Sequence, residues 1–330
     1  MRTSERSNDM TTAVRTADSA GDPRIERYRE AERTLWARYG LHPIERIVQL
    51  EDPRIRVRIL DIGAGDPVLF IPGPGGTGPY WAPLIRELAG FRCLLVDRPG
   101  WGLTDPIDWR KGDYGSIAAA ILRGTLDDLG IERAHVVGAS IGNLWGLHLA
   151  RRHPDRVVRM AFIGGHPTVE VPVPRFIRLL RSPIGAVIVR APLSAGALRS
   201  QLRAIGHAAS LESGKLAGFF EWRLAFAKDT SSMRYERAMV QAVLGPDGWR
   251  PGFVPTTAEL AQIDHPTRMI FGTGDPTGTV DTWRKFTERL PRGELQIIDG
   301  AGHMPWWDEP QIVGQSVVAF LRAQETGATT

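Results

Sequence analysis

Ser140 sits at the centre of the one Gly-x-Ser-x-Gly run in this 330-residue chain, Gly138-Ala139-Ser140-Ile141-Gly142. A serine hydroxyl attacks well only when a base takes its proton and a third group holds that base. The run lies between an apolar stretch, Ala134 to Val137, and a helical pattern that continues to Arg152. A serine on so sharp a strand-to-helix turn needs small neighbours, which Gly138 and Gly142 supply. The helix start adds unpaired N–H groups and a positive dipole end, and Ile141 N–H is the natural donor to a developing oxyanion. Without partners, the same serine would be an ordinary helix cap in a glycine-rich turn.

Candidate partners follow in the order acid, then histidine. Asp275 occurs in Phe271-Gly272-Thr273-Gly274-Asp275-Pro276 and His303 in Gly300-Ala301-Gly302-His303-Met304-Pro305, each just after an apolar strand-like run. Asp264 precedes its strand, Asp281 falls in the following helix, and Gly164-Gly165-His166 carries no carboxylate, so Asp275 is the preferred acid. His303 would remove the Ser140 proton, and Asp275 would fix the imidazole tautomer. His135 and His148 read as packing residues, and Cys93 as core. Pro74, His166 and Trp306 are candidates to line the substrate pocket.

These residues must be positioned by the elements around them. Arg24 to Tyr39 reads as an amphipathic helix, and Ile44 to Leu50 with Ile55 to Ile62 as a pair of strands. Strands at Pro67 to Ile71, Cys93 to Val96, Ala134 to Val137 and Val157 to Ile163 alternate with helices near Trp81 to Ala89, Ile117 to Leu129 and Ser140 to Arg152. From His166 to about Gln262 the sequence is helical and Arg-rich, and the alternation then resumes with strands Thr267 to Phe271 and Glu294 to Ile298. The expected fold class is α/β: a mostly parallel eight-stranded sheet with helices on both faces and a helical cap inserted after strand 6. The expected division is a tail at 1–22, a core of 23–165 and 263–325, a cap of 166–262 and a short tail at 326–330.

Four motifs in order resemble the α/β-hydrolase family over about Arg46 to Arg322. They are the Gly-rich loop 72–76, Asp97-Arg98-Pro99-Gly100-Trp101-Gly102, the elbow, and Gly302-His303-x-Pro305 with Glu309-Pro310. The resemblance implies a serine hydrolase that needs no cofactor or metal, and it gives the Asp97 to Gly102 turn a structural part. Family members carry His-Gly after the third strand, where this chain has Pro72-Gly73-Pro74. Proline has no N–H, so Gly73 is the expected second oxyanion donor. The expected reaction is cleavage of a carboxylic ester or lactone with an apolar group, through an acyl-enzyme on Ser140. The same triad resembles that of carbon–carbon bond hydrolases of the meta-cleavage type, and a catalytically silent binding protein on the same fold is a third reading.

Composition narrows the partners. With a single cysteine the chain cannot form an intramolecular disulfide, and no dense Cys/His metal framework is present. No apolar run suits a secretory leader or a membrane span, so a cytoplasmic location without stable membrane insertion is expected. Between Pro167 and Pro255 there are 12 Lys+Arg against 6 Asp+Glu. No nucleic-acid motif accompanies that charge. Arg175, Arg178 and Arg181 beside Phe176, Ile177, Leu179 and Leu180 read as a basic amphipathic helix, most simply a solvated face. The expected partner is a small ester-like molecule, and a homodimer is compatible with the sequence.

Overall fold

The computed structural model describes residues 21–168 and 171–323. Most of the two expected tails therefore lies outside the described residues. Eight strands form one sheet: β1 (Ile44–Glu51), β2 (Arg54–Gly63), β3 (Asp66–Ile71), β4 (Phe91–Val96), β5 (Ala134–Ala139), β6 (Val157–Ile163), β7 (Thr267–Gly272) and β8 (Gly293–Ile298). Their order is β1-β2-β4-β3-β5-β6-β7-β8. The pairings of β1 with β2 and of β2 with β4 are antiparallel, and all others are parallel.

The central strands are covered on both faces, which is why they read as unbroken apolar runs. In β3, Leu69 and Ile71 enter the core cluster on one face while Val68 and Phe70 enter the other. The switch point lies at β3, which pairs with β4 on one side and β5 on the other. From there the loop after β3 leads toward β4 and the loop after β5 toward β6, on opposite sides, the usual place for a site in an open α/β sheet. Those two loops carry Gly73 and Ser140.

Between β6 and β7 the described chain forms a succession of helices, the longest being Ala217–Asp229 and Ser232–Val243. The N-terminal helix Pro23–Arg38 packs onto the first of these. Arg27 reaches Asp229 at 2.6 Å, and the Tyr28 hydroxyl meets Thr77 Oγ1 at 2.8 Å in the loop after β3.

Two local expectations differ from the structure. The helix anticipated near Trp81 to Ala89 is only a 3₁₀ turn, Gly78–Trp81, and one α turn, Ala82–Ile85. Beyond it Glu87 and Leu88 bond three residues back, to Leu84 and Ile85, because the chain must turn at once to lay Phe91 beside Asp66. The basic helix Arg175–Arg181 buries Leu180 but leaves Phe176 and Leu179 exposed along with Arg175 and Arg178. Its polar and apolar side chains share the solvent side, so it is not the amphipathic helix that its spacing suggests.

Candidate active site

Ser140 follows β5 directly at φ 51°, the one non-glycine residue with positive φ among the described residues. That strain is held by its surroundings. The Ser140 N–H donates to Ile163 O at the end of β6, 3.2 Å away. The helix Ile141–Arg152 starts at the next residue, and a side chain at Gly142 would collide with the carbonyl of Ile71. The glycine thus lets the elbow helix lie against the end of β3.

The end of β6 links all three candidate residues. Ile163 holds Ser140, while Gly165 N–H donates to Asp275 Oδ2 at 2.9 Å. A side chain at Gly164 would strike the His303 backbone. His303 Nδ1 lies 2.8 Å from the same Asp275 oxygen. The other oxygen, Oδ1, accepts from Thr277 N–H at 2.9 Å and from the Thr277 hydroxyl at 2.7 Å. Four donors on one buried carboxylate require it to be ionised. Burial opposes the charge, but His303, Gly165 and Thr277 outweigh it and hold the Asp275 carboxyl down at about 2. With Nδ1–H directed at Asp275, Nε2 is the basic nitrogen of His303, and it has no protein partner among the described hydrogen bonds. Ser140 is only 7% exposed.

Burial disfavours the His303 imidazolium, yet the charge of Asp275 and its hydrogen bond raise the pKa above the ordinary 6.5. A base must be neutral to accept a proton, so activity should fall as pH drops through that raised value. A pH profile of kcat/KM is expected to show its acid limb above 6.5, and a limb below that value would remove the Asp275–His303 pair from the mechanism.

The candidate oxyanion donors are two backbone N–H groups. A Cβ built on Gly73 would stand 2.9 Å from Ser140 Cβ, so the glycine backbone lies against the candidate nucleophile. The Gly73 carbonyl is turned away, accepting from Gly76 N–H and from Arg98 Nη2, each at 3.2 Å. Neither Gly73 N–H nor Ile141 N–H has a protein acceptor among the described bonds. Two such donors suit an oxyanion, each contributing about 3 kcal/mol in the transition state. Pro74 is the one partly exposed residue of the 72–76 loop.

The two other pocket candidates are buried. His166 is 2% exposed, packed against Trp283 and Phe286, with Nδ1 3.2 Å from Asn143 Nδ2. It borders a void of about 10 Å³, room for about one water. Trp306 is fully buried, stacked on Trp81, and its indole N–H donates to Tyr80 O at 2.9 Å. Both side chains pack in aromatic clusters, and that of Trp306 includes Tyr80. Trp307 donates to the same carbonyl, also at 2.9 Å.

Several residues near the site escaped sequence reasoning. The Tyr80 hydroxyl lies 3.5 Å from a Cβ built on Gly73; burial, reinforced by Asp275, pushes its pKa far up, so it stays a donor. Arg98, from the turn read as structural, is 1% exposed, stacks on Trp101 at 3.8 Å and touches Gly73 O. Arg223, in the helix Ala217–Asp229 between β6 and β7, is 5% exposed, and its guanidinium would be 2.8 Å from a Cβ on Gly75. Arg98 Nε and Arg223 Nη1 are buried without a hydrogen-bond partner. The buried Glu236 carboxyl attracts both, Arg223 more strongly. Asp97 does anchor structure, accepting from Gly78 N–H at 3.1 Å and from Arg58 at 3.2 Å. Arg98 stands in a motif that reads as structural, and the only sequence signal for Arg223 is the basic excess between Pro167 and Pro255, which points to no particular residue.

The strand order, the elbow and the loop positions can be set beside known proteins. A family model for the alpha/beta hydrolase fold matches residues 66–310. The chain belongs to the alpha/beta hydrolase fold family. Similar proteins in this family include a 2-hydroxy-6-oxononadienedioate/2-hydroxy-6-oxononatrienedioate hydrolase from Burkholderia vietnamiensis, 30% identical over 81% of this chain and 91% of that protein. The protein of the same name from Cupriavidus pinatubonensis is 29% identical over 82% and 92%. Among solved structures, a 2-hydroxy-6-oxo-6-phenylhexa-2,4-dienoate hydrolase from Rhodococcus matches with a TM-score of 0.70 at 21% identity, covering 86% of this chain and all of that one. A carboxylesterase from Bacillus subtilis matches with 0.69 at 19% identity, covering 91% and 98%. At such identities the two structures share the fold with this alpha/beta hydrolase. Like its relatives, the chain is a hydrolase. No helix among its described residues is long and apolar enough to cross a membrane.

Proposed function

We propose that this hydrolase cleaves a carbon–carbon bond in a vinylogous diketone that carries a carboxylate, with Ser140 as nucleophile, His303 as base and Asp275 as the orienting acid. The observation that carries the reading is the buried pair Arg98 and Arg223 at the Gly73–Gly75 loop, each with an unpartnered N–H. An unpaired polar group in the interior is costly, and two guanidiniums against the single carboxylate of Glu236 leave a positive excess. An anionic group on the substrate would satisfy it. A neutral apolar ester would leave it unanswered. The relatives named above act on dicarboxylates, which agrees with this charge. The ester or lactone reading rests only on the shared fold.

In the proposed reaction the 2-hydroxydienoate reacts as its keto tautomer, the 2-hydroxyl proton having moved to C5. His303 Nε2 then takes the Ser140 proton, Oγ adds to the C6 ketone carbon, and the oxyanion faces Ile141 and Gly73 N–H. Collapse breaks the carbon–carbon bond. The departing electron pair is delocalised into the conjugated keto acid held by the arginines, and the carbon takes the proton from His303. Water, activated by the same histidine, then releases the acid from Ser140. Net, one water is added across the bond, its OH going to the acyl carbon and its H to the leaving carbon.

A chromogenic 2-hydroxy-6-oxodienoate should therefore be turned over with a higher kcat/KM than any member of a p-nitrophenyl ester and lactone series. The opposite order would overturn the proposal in favour of ester hydrolysis. Arg223→Met should lower kcat/KM on the dienoate by about 10²-fold, the scale of one charged hydrogen bond in a dry site, while changing ester turnover far less.

A further inference from the structure

Three successive backbone N–H groups flank and include the candidate base, and each has a dedicated acceptor. Gly302 N–H donates to Asp308 Oδ2 at 2.8 Å, His303 N–H to Ile205 O at 2.9 Å, and Met304 N–H to His207 Nε2 at 3.0 Å. Two of these acceptors belong to the cap, nearly a hundred residues away in sequence. His207 has no exposed surface. Because its Nε2 accepts, its proton sits on Nδ1 and is donated to Asp308 Oδ1 at 3.0 Å. The Ser210 hydroxyl donates to the same carboxylate, and Lys215 Nζ reaches the Asp308 carbonyl at 2.8 Å. This cluster is not a second Ser-His-Asp device, since the free nitrogen of His207 is already taken by backbone and Ser210 bonds to the acid instead of the imidazole.

The packing is equally close. A Cβ built on Gly206 would come 2.8 Å from Gly302 Cα and 2.9 Å from Gly274 C. The cap turn 205–207 is thus wedged between the residue before Asp275 and the residue before His303. We propose that this turn, braced by Asp308, positions the general base, and that His207 and Asp308 are positioning residues for proton transfer from Ser140. The proposal rests on the reading of Ser140 and His303 as nucleophile and base. A staple elsewhere in the molecule would affect stability alone. Here it fixes the backbone of the residue whose imidazole must meet Asp275 at 2.8 Å, and a shift of about 1 Å in such a group costs on the order of 10²-fold in rate.

The test measures the rate at which a fluorophosphonate labels Ser140, which needs no knowledge of the substrate, together with kcat, KM, the pH profile and the melting temperature. His207→Leu is expected to slow labelling and kcat by ~100-fold with KM within about threefold. Its acid limb should move to lower pH, because a displaced His303 loses the alignment with Asp275 that raises its pKa. His207→Gln, whose amide oxygen can accept from Met304 N–H, should regain at least about tenfold of that loss, and Asp308→Asn should lose about tenfold. A folded His207→Leu protein with a wild-type labelling rate and an unmoved limb would overturn the proposal, as would a loss confined to melting temperature. If His207→Leu does not fold, the near-isosteric Asp308→Asn decides by the same two readouts. Failure of the underlying reading looks different: the wild type would then label no faster than Ser140→Ala, and the positioning role would fall with it.

Discussion

Ser140→Ala should lower kcat on the preferred substrate by on the order of 10⁵-fold while leaving the protein folded. The fold should survive because the strain at φ 51° belongs to the backbone and to Cβ, which alanine shares. Ser140→Gly makes the complementary prediction. It should be as inactive as the alanine variant yet more stable by about 1 kcal/mol, since glycine adopts positive φ without steric cost. Steady-state kinetics with denaturant unfolding of both variants checks this. Appreciable turnover by either would remove Ser140 from the mechanism.

Asp275→Asn should cost about 10⁴-fold in kcat for a reason visible in the hydrogen bonds. Each carboxylate oxygen faces two donors: His303 Nδ1 and Gly165 N–H on one side, the Thr277 N–H and hydroxyl on the other. An amide can offer only one oxygen, so its NH₂ must face donors in either orientation. Directed at His303, it forces the proton onto Nε2, the nitrogen that must be free to receive it from Ser140. Stability should fall as well. A carboxyl held at about 2 against an ordinary 3.8 contributes about 2 kcal/mol above pH 4, and this is lost as pH falls toward 2. The variant should therefore unfold more readily at pH 7, with the gap to wild type closing in strong acid. A rate within tenfold of wild type would place the orienting acid elsewhere.

Much of this could be read from the chain because the signals are local. Strands β3, β5, β6 and β7 are short apolar runs ended by Gly or Pro, and the fold is what such runs build when helices alternate with them. The elbow is legible for the same reason: Gly138, Ser140 and Gly142 fall within five residues, and the need for small neighbours is met there. The helix expected near Trp81 to Ala89 is cut to about one turn because its length is set by the short return to β4, a tertiary demand that overrides propensity. His166 and Trp306 lie next to site residues in sequence, but their side chains turn into aromatic clusters. Adjacency along the chain does not say which way a side chain faces.

The sequence by itself determined the sheet and the elbow, since each follows from spacing within a dozen residues, and it set a candidate serine, acid and histidine in that order at positions 140, 275 and 303. Only the tertiary structure decided what surrounds them. Arg98 and Arg223 stand 125 positions apart, and His207 and Asp308 stand 101 apart. The first pair meets at the Gly73–Gly75 loop and the second behind His303 because the cap folds back over the sheet edge. That return path is set by contacts between residues far apart in the chain, and no local pattern encodes it.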